Sequence, residues 1–383
     1  MEEWKTYKIG DICESISDTY KGDAANVVLV NTSDVYDGVC LNHELAPNKD
    51  LKGQFKKTFK RNDILYSEIR PANKRFAFID FEPENYIAST KLMVIRCSDL
   101  VRPRYLYHYL KRQEMLDELQ GLAESRSGTF PQITFSELAL FDISLPDLAT
   151  QDKIVATVDC FEEKIALNNR INHNLLNIAQ EIFDNKIVGS TSELGAFHFA
   201  SLLDIADYLN GLAMQKFPTN DGEVGLPVLK IKELGQQECD ANSDRCSEII
   251  PEQYIINDGD IIFSWSGTLL VDFWCGGRCG LNQHLFKVSS ENYPDWFIYF
   301  WTKHHLDRFI RIAKDKAVTM GHIKRGDLGK AEVIIPEESF MKTLDAEISP
   351  LISEYVKRRI ENRKLQMLRD SLLPELISGQ LIC

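Results

Sequence analysis

Three side chains in the first half have the types that a magnesium-dependent nuclease uses. Asp147 follows a proline, and Glu162 and Lys164 come later in the chain. Two carboxylates and a lysine can assemble a magnesium site that activates water. Glu162 and Lys164, however, fall inside a heptad-patterned helix, and the second half does not repeat the pattern. We therefore favour a structural role for these residues over a nuclease centre.

Other candidates for chemistry are weaker. Cys275 and Cys279 have a spacing that zinc can use, but a structural zinc site needs two more ligands, and Cys239 and Cys246 are loosely spaced. The chain contains neither of the glycine-rich phosphate loops, nor a His-Glu-x-x-His motif. The sequence therefore predicts no catalytic centre, no metal and no bound cofactor, and a cytoplasmic protein whose nine cysteines are free thiols.

Basic side chains are concentrated locally in a chain whose net charge is −13. One cluster covers residues 49–61 and continues to residue 75, and another covers residues 303–325. Lysine and arginine can neutralise phosphates, while arginine, asparagine and glutamine can read base edges. Two equivalent polar loops, at residues 126–132 and 316–322, are further candidates. The alternative is an ordinary solvated surface. The predicted DNA-binding residues are Lys52, Lys56, Lys57, Lys60, Arg61, Arg70, Lys74, Arg75, Arg126, Thr129, Gln132, Ser266, Arg311, Lys314, Lys316, Thr319, His322 and Lys324.

The elements that would position these residues occur twice. An offset of 190 residues aligns the end of the first half with the end of the second, and an offset of 197 aligns residues 63–67 with 260–264. A repeat of this length indicates two domains, because solenoid repeats span about 20–50 residues. Each copy ends in an amphipathic stretch with apolar spacings of 4 and 3 over four heptads.

The heptad spacing indicates two long helices that pair in an antiparallel or a parallel sense, and we predict an antiparallel coiled coil. The alternative is that each helix packs only on its own domain. Polar residues recur at equivalent heptad positions, Asn168 and Asn172 in one helix and Arg358 and Asn362 in the other, where they would fix the register. The predicted seam residues are Ile154, Val158, Phe161, Ile165, Asn168, Asn172, Leu175, Leu344, Ile348, Leu351, Tyr355, Arg358, Asn362 and Leu365.

The resulting fold class is α+β, with two repeated mixed domains joined by two long helices. We predict a first mixed domain at 1–148, a first long helix at 149–190, a second mixed domain at 194–337, and a second long helix with the C-terminal segment at 338–383. Thr150 is the predicted N-cap of the first long helix, and Pro374 the predicted end of the second. A helix at residues 103–119 should end at Gly121. Strands are predicted at residues 25–30, 63–67, 76–79 and 92–96.

In this order, the motifs resemble the specificity subunit of type I restriction-modification enzymes. The resemblance covers nearly the whole chain and rests on Trp4 with residues 7–12, Leu145-Pro146 with Gln151, and residues 179–183, 259–268 and 372–381. The first copy departs from it at residues 67–70, where the second has the more typical residues 264–267. Met341 also stands where the first copy has a glutamine.

The resemblance implies a non-catalytic subunit that reads a bipartite, asymmetric site in double-stranded DNA. Each mixed domain would be a target recognition domain, and the helix pair would set the spacer. Two methyltransferase subunits would dock on the chain, and motor-nuclease subunits would join. S-adenosylmethionine, ATP and magnesium would then belong to those partners, and no membrane would be involved. The alternatives are a regulatory or decoy homologue that binds methyltransferase subunits, and a stand-alone nuclease.

Overall fold

A computed structural model describes residues 4–49, 51, 53–125, 131–189, 196–315 and 321–381. It divides into two compact units. The first unit contains Met1–Glu163 and Met367–Cys383, and the second contains Lys164–Gln366. The predicted boundaries of the recognition domains remain predictions.

The described part of the first unit contains three sheets and several helices. Its strands are β1 (Lys5–Lys8), β2 (Cys13–Ile16), β3 (Asn26–Val30), β4 (Val35–Tyr36), β5 (Val39–Cys40), β6 (Leu45–Pro47), β7 (Phe55–Lys57), β8 (Ile64–Ser67), β9 (Phe76–Phe78), β10 (Tyr86–Ser89), β11 (Leu92–Cys97) and β12 (Asp142–Leu145). Its helices are α1 (Ile9–Ile12), α2 (Pro103–Leu110), α3 (Gln113–Glu124), α4 (Phe135–Leu138) and the beginning of α5 (Leu148–Phe183). The sheet orders are β1-β12, β6-β3-β10-β7 and β2-β11-β8-β9, and β4 and β5 form a separate hairpin.

The position of β8 explains its continuous apolar sequence. It pairs with β11 on one side and β9 on the other. Successive side chains of a strand point to opposite faces. Ile64 and Tyr66 accordingly face the larger core, whereas Leu65 faces the smaller one. Because both faces are covered, β8 is buried at every residue.

The second unit has its own set of elements in the described residues. Its strands are β13 (Phe197–Ser201), β14 (Asp207–Asn210), β15 (Leu226–Leu229), β16 (Arg245–Cys246), β17 (Ile255–Ile256), β18 (Ile261–Ser264), β19 (Leu270–Phe273), β20 (Cys279–Leu281), β21 (Leu285–Ser289) and β22 (Glu332–Pro336). Its helices are the end of α5, α6 (Leu202–Ile205), α7 (Ile231–Gln236), α8 (Asp295–His304), α9 (Leu306–Asp315), α10 (Arg325–Leu328) and most of α11 (Glu338–Ser378).

The sheets of the second unit repeat those of the first. Their orders are β13-β22, β16-β15-β20-β17 and β14-β21-β18-β19. The central strand β18 again divides its side chains between two cores, with Ile261 and Phe263 on one and Ile262 on the other. The predicted duplication and the α+β fold class are therefore confirmed.

Both long helices are present, with two corrections at their ends. The cap of α5 is Asp147, whose carboxylate accepts a hydrogen bond from the Thr150 backbone N–H at 2.7 Å, and Thr150 lies inside the helix. Pro374 does not end α11, which continues to Ser378. Proline removes one backbone donor, but Leu376 and Ile377 beyond it are buried in the core of the first unit, and their burial stabilises the last turns.

The prediction of one continuous helix at residues 103–119 was wrong, because two helices occupy this region. The chain forms α2, breaks at Lys111 and Arg112, and then forms α3, which contains Gly121. The break allows apolar residues of both helices, including Leu106 and Leu116, to reach one core. The predicted strands correspond to β3, β8, β9 and β11.

Among the described residues, no helix combines the length and the apolar character that crossing a membrane requires.

Candidate nucleic-acid interface

Three segments of the first unit meet at the end of β8, and we call this place the first junction. The Glu68 N–H donates to the Lys91 carbonyl at 3.0 Å, and the Ile133 N–H donates to the Glu68 carbonyl at 2.8 Å. The Arg70 N–H donates to the Pro131 carbonyl at 3.0 Å. These bonds fix the turn after β8 against the start of β11 and against residues 131–133.

The first junction presents polar side chains on this backbone. The Lys91 ammonium donates to the Gln132 amide oxygen at 3.3 Å and lies 3.5 Å from the Glu68 carboxylate. The side chain of Lys91 is 49% exposed and that of Glu68 is 21% exposed, so both can reach a ligand. We call Glu68, Lys91 and Gln132 the first triad.

The second unit builds an equivalent second junction at the end of β18. The Trp265 N–H donates to the His284 carbonyl at 3.4 Å, and the Ile323 N–H donates to the Trp265 carbonyl at 3.1 Å. The Gly267 N–H donates to the Gly321 carbonyl at 3.0 Å. Each bond has its counterpart in the first junction.

The side chains of the second junction differ completely from those of the first. The ring of Trp265 lies 5.8 Å from the ring of His284 and 6.3 Å from that of His322, between centroids. The Ser266 hydroxyl hydrogen-bonds His284 Nδ1 at 3.1 Å. Ser266 itself is only 3% exposed, so it can act on a ligand only through His284. We call Trp265, His284 and His322 the second triad.

A serine stabilises the turn in both junctions. The Ser67 hydroxyl donates to the carbonyl two residues later at 3.2 Å, and the Ser264 hydroxyl does the same at 3.1 Å. The two junctions therefore share backbone bonds and the turn serine, while their triads differ in size, charge and aromatic character.

A groove with a volume of about 730 Å³ lies beside the second junction. Its lining includes Gln283 and His284, together with the cations Lys230, Lys232 and Arg245. Each cation already has a partner within the second unit. Lys230 contacts Asp244, Lys232 lies 3.2 Å from Asp240, and Arg245 donates to the Gly225 carbonyl at 3.0 Å. The groove combines amide and imidazole groups with positive charge, which suits a polyanion that carries base edges.

The predicted basic residues of the first unit lie in different environments. Lys56, Lys60 and Arg70 are exposed. Lys57 is half-buried and donates to the Leu92 carbonyl at 2.8 Å, and burial lowers the pKa of its ammonium. The remaining cations of this set are Arg61, which lies 3.8 Å from Glu82, Lys74, which is half-buried, and Arg75, which donates to the Ser33 carbonyl at 3.0 Å and lies over the Tyr36 ring.

In the second unit, Arg311 and Lys314 are exposed on α9, and Lys324 precedes α10. Five of the predicted DNA-binding residues lie outside the described residues: Lys52, Arg126, Thr129, Lys316 and Thr319. The structure brings Gln132 and Arg70 to the first junction and Ser266 and His322 to the second. A role in DNA contact stays a prediction for all of them.

The sequence analysis missed Glu68, Lys91, Trp265, His284 and Gln283. The sequence difference between residues 67–70 and the equivalent residues 264–267 could have pointed to Glu68 and Trp265, because the two copies carry different residues there. Lys91 and His284 gave no such signal, because they are separated by 193 residues and fall on neither of the two offsets that we recognised.

The carboxylate of Glu162 belongs to an ion-pair network within the first unit. Glu162 contacts Lys111 and lies 3.3 Å from Arg104 and 3.8 Å from Arg369. The neighbouring carboxylate, Asp159, bonds Arg104 at 3.0 Å and His108 at 2.7 Å.

The acidic groups and the histidine of this network lie close enough to suggest a metal site, since ligand atoms of His108, Asp159 and Glu162 are all within 4.8 Å of one another. Arg104 and Lys111 already supply positive charge to the carboxylates, so no cation is needed for neutrality. Asp147, the other carboxylate of the nuclease pattern, caps α5. The geometry therefore supports the structural interpretation of the pattern.

The seam residues of α5 and α11 pack within each unit. In the first unit, Ile154 and Val158 share a core with Leu373, Leu376 and Ile377. In the second unit, the core contains Leu344, Ile348 and Tyr355, with Leu175 and Leu351 packed against it. Phe161, Ile165 and Leu365 are half-buried.

Polar seam residues bond across the helix pair in the second unit. Asn168 donates to the Asn362 side chain at 2.8 Å and accepts from Arg358 at 3.0 Å. Farther along, Lys186 lies 2.8 Å from Glu347. From Asn168 on α5 to Lys186 just beyond it, the partner on α11 moves back from Asn362 to Glu347, so the chain segments are antiparallel here, as predicted.

The structure thus defines a protein with two copies of a mixed α+β domain and a pair of antiparallel helices. Comparison of the sequence with protein families indicates which proteins share this organisation. Residues 1–177 match the family model of the type I restriction modification DNA specificity domain. The predicted resemblance is therefore confirmed for residues 1–177, and the chain is similar to specificity subunits of type I restriction enzymes, as described next.

Two subunits and one solved structure are similar to the chain. The HindI specificity subunit of Haemophilus influenzae is 44% identical over 190 residues, which are 49% of this chain and 41% of that subunit. The matched region thus spans less than half the length of that relative. The MjaIX specificity subunit of Methanocaldococcus jannaschii is 24% identical over 306 residues, covering 74% of this chain and 70% of that subunit. The S subunit from M. genitalium has a similar fold, with a TM-score of 0.58 at 14% identity, covering 98% of this chain and 96% of that one.

Proposed function

We propose that this chain is the non-catalytic DNA-specificity subunit of a type I restriction-modification system. Each mixed domain reads one half of an asymmetric, bipartite site in double-stranded DNA. The duplication carries this proposal, because two junctions with the same backbone and different side chains suit two different half-sites. The family match over residues 1–177 supports it independently.

The chemistry on DNA belongs to partner subunits in this proposal. Two methyltransferase subunits dock on the chain, bind S-adenosylmethionine and flip the target base out of the duplex. Motor-nuclease subunits that use ATP and magnesium join this assembly in the cytoplasm. The names of the similar subunits, which belong to type I restriction enzymes, support this division of labour.

The helix pair acts as a ruler for the unread spacer between the half-sites. Inserting one heptad into both α5 and α11, opposite each other, should change the preferred spacer and leave both half-site sequences intact. A spacer that stays constant, with unchanged half-sites, would exclude the ruler. Sequencing of the methylated sites gives the readout.

The proposal as a whole is tested by methylome sequencing of cells that carry or lack this gene. We expect one interrupted, asymmetric motif whose methylation disappears with the gene. Loss of the gene without any change in the methylome would contradict the proposal.

Two alternatives make different predictions. A regulatory or decoy homologue would co-purify with methyltransferase subunits but would not retain any particular DNA sequence. A stand-alone nuclease would cleave DNA with magnesium as a purified chain, and Glu162→Ala would abolish the cleavage. The contacts of Glu162 with Lys111 and Arg104 argue against the nuclease.

A further inference from the structure

We infer that the two triads choose the bases, the first triad in one half-site and the second triad in the other. This inference rests on the proposed function and deepens it by naming the residues that discriminate. Lys91 and His284 are new candidates, and Gln132 and His322 acquire defined neighbours.

The first argument concerns the backbone. Three hydrogen bonds hold each junction, and all three join main-chain atoms. The positions of the triads therefore do not depend on which side chains they carry. Because main-chain bonds hold the junction, the same fold can carry different side chains in the two units and so contact different base sequences.

The second argument concerns the chemistry of the first triad. A lysine can donate to the O6 and N7 acceptors of guanine, a glutamine can pair with the N6 and N7 groups of adenine, and a glutamate can accept from cytosine N4. Lys91, Gln132 and Glu68 thus offer donors and acceptors at one exposed place. Their mutual contacts at 3.3 and 3.5 Å hold them in position before a ligand arrives.

The third argument concerns the second triad and its groove. The His284 ring lines the groove of about 730 Å³, where Gln283 and three cations also lie. Ser266 bonds one ring nitrogen of His284, and the Gln283 amide lies 3.3 Å from the other. The imidazole is therefore held in a defined orientation. The cations on the groove wall can contact phosphates while His284 and Gln283 face base edges.

The experiment uses the full-length chain in its own cells, with methylome sequencing as the readout. The first variant is Lys91→Ala with Gln132→Ala, and the second is His284→Ala. We expect each to relax one or two base pairs of a single half-site, with discrimination there falling on the order of tenfold. The half-site that relaxes should differ between the two variants.

The control is Lys60→Ala, which removes an exposed cation outside both triads. A phosphate contact carries no sequence information, so this variant should leave the motif unaltered, whether or not it lowers methylation at all sites. His284→Gln provides a variant that keeps a hydrogen-bonding group for Ser266. It should relax the same half-site as His284→Ala, even if the alanine variant fails to fold.

The outcomes separate the two proposals. If the unaltered chain specifies a motif and the triad variants leave it unchanged, or relax both half-sites alike, the inference is wrong and the proposed function stands. If the unaltered gene specifies no motif, the proposed function is wrong and the inference fails with it.

Discussion

Arg70 and Gly267 occupy the same place in the two junctions. Each N–H donates to a main-chain carbonyl of the third segment, Pro131 for Arg70 and Gly321 for Gly267. Both residues have a positive φ, 47° for Arg70 and 63° for Gly267. This left-handed conformation suits glycine and disfavours side chains that carry a Cβ. Pro71 adds to the strain at Arg70, because a residue before proline favours an extended backbone.

Arg70→Gly should therefore stabilise the chain. Relief of the strained conformation is worth about 1 kcal/mol, and Arg70 is exposed, so little packing is lost. Urea unfolding measures the change. The reciprocal variant, Gly267→Ala, should destabilise the chain by a similar amount. The nearest atom to the added Cβ is 3.5 Å away, so the cost comes from the positive φ and not from a steric clash. A loss of stability in Arg70→Gly would show that strain does not dominate at this position.

The polar seam provides two asparagines with opposite expected effects. Asn172 is 5% exposed, and neither its amide nitrogen nor its amide oxygen has a hydrogen-bond partner among the described residues. Asn168 bonds both Asn362 and Arg358. Asn172→Leu should raise the free energy of unfolding by about 1 kcal/mol, because a buried group without a partner is removed.

Asn168→Leu is the matched variant in the same helix. It should lower the free energy of unfolding by about 2 kcal/mol, since it leaves Asn362 and the Arg358 guanidinium short of partners. Thermal unfolding of the two variants beside the unaltered chain provides the comparison. Equal effects of the two substitutions would show that the seam does not distinguish these positions.

His108 should make the first unit sensitive to acid. Burial lowers the pKa of His108 to about 4, although its Nε2 bonds Asp159. The folded chain therefore binds this proton less readily than the unfolded chain, whose histidine has a pKa of 6.5. The free energy of unfolding should have its full value above pH 6.5 and should fall by about 3 kcal/mol as the pH drops to 4.

The Asp159 carboxylate acts in the same direction. Although desolvation raises its pKa, hydrogen bonds and charge from His108 and Arg104 lower it on balance. His108→Gln should make the free energy of unfolding nearly independent of pH between 6.5 and 4. The decrease at lower pH, which Asp159 causes, should remain. A profile without slope in the unaltered chain would contradict the neutral state of buried His108.

The end of α11 depends on a glycine packed against the start of the chain. Gly379 has a φ of 74°, and a Cβ there would lie 2.7 Å from the Trp4 ring. Gly379→Ala should destabilise by about 2 kcal/mol through backbone strain and displacement of Trp4. Gly121→Ala is the matched control, because it lies inside α3 with no atom within 4 Å of the added Cβ. That substitution should stabilise by roughly 0.5–1 kcal/mol in urea unfolding. The prediction fails if Gly379→Ala is as stable as the unaltered chain.

Parts of the fold could be read directly from the sequence. The apolar strand at residues 64–67 and the heptads at Ile154 and Val158 are local patterns, since each depends on spacing along a few turns or a few residues. The repeat made these predictions more secure, because the pattern at Ile154 and Val158 recurs at Leu344 and Ile348. The helix ends were less predictable: Pro374 is tolerated because residues beyond it are buried by distant parts of the chain.

The amino-acid sequence by itself determined the duplication and the fold class, because periodicity and recurrence are properties of the chain. Only the tertiary structure decided that Lys91 meets Gln132 and that His284 meets Trp265. Hydrogen bonds between segments far apart in the chain create these neighbours, and no local spacing encodes which loops will meet. The same holds for Glu162, whose role was settled by Arg104 on α2 and by Lys111 just beyond the end of α2, and not by the residues beside it.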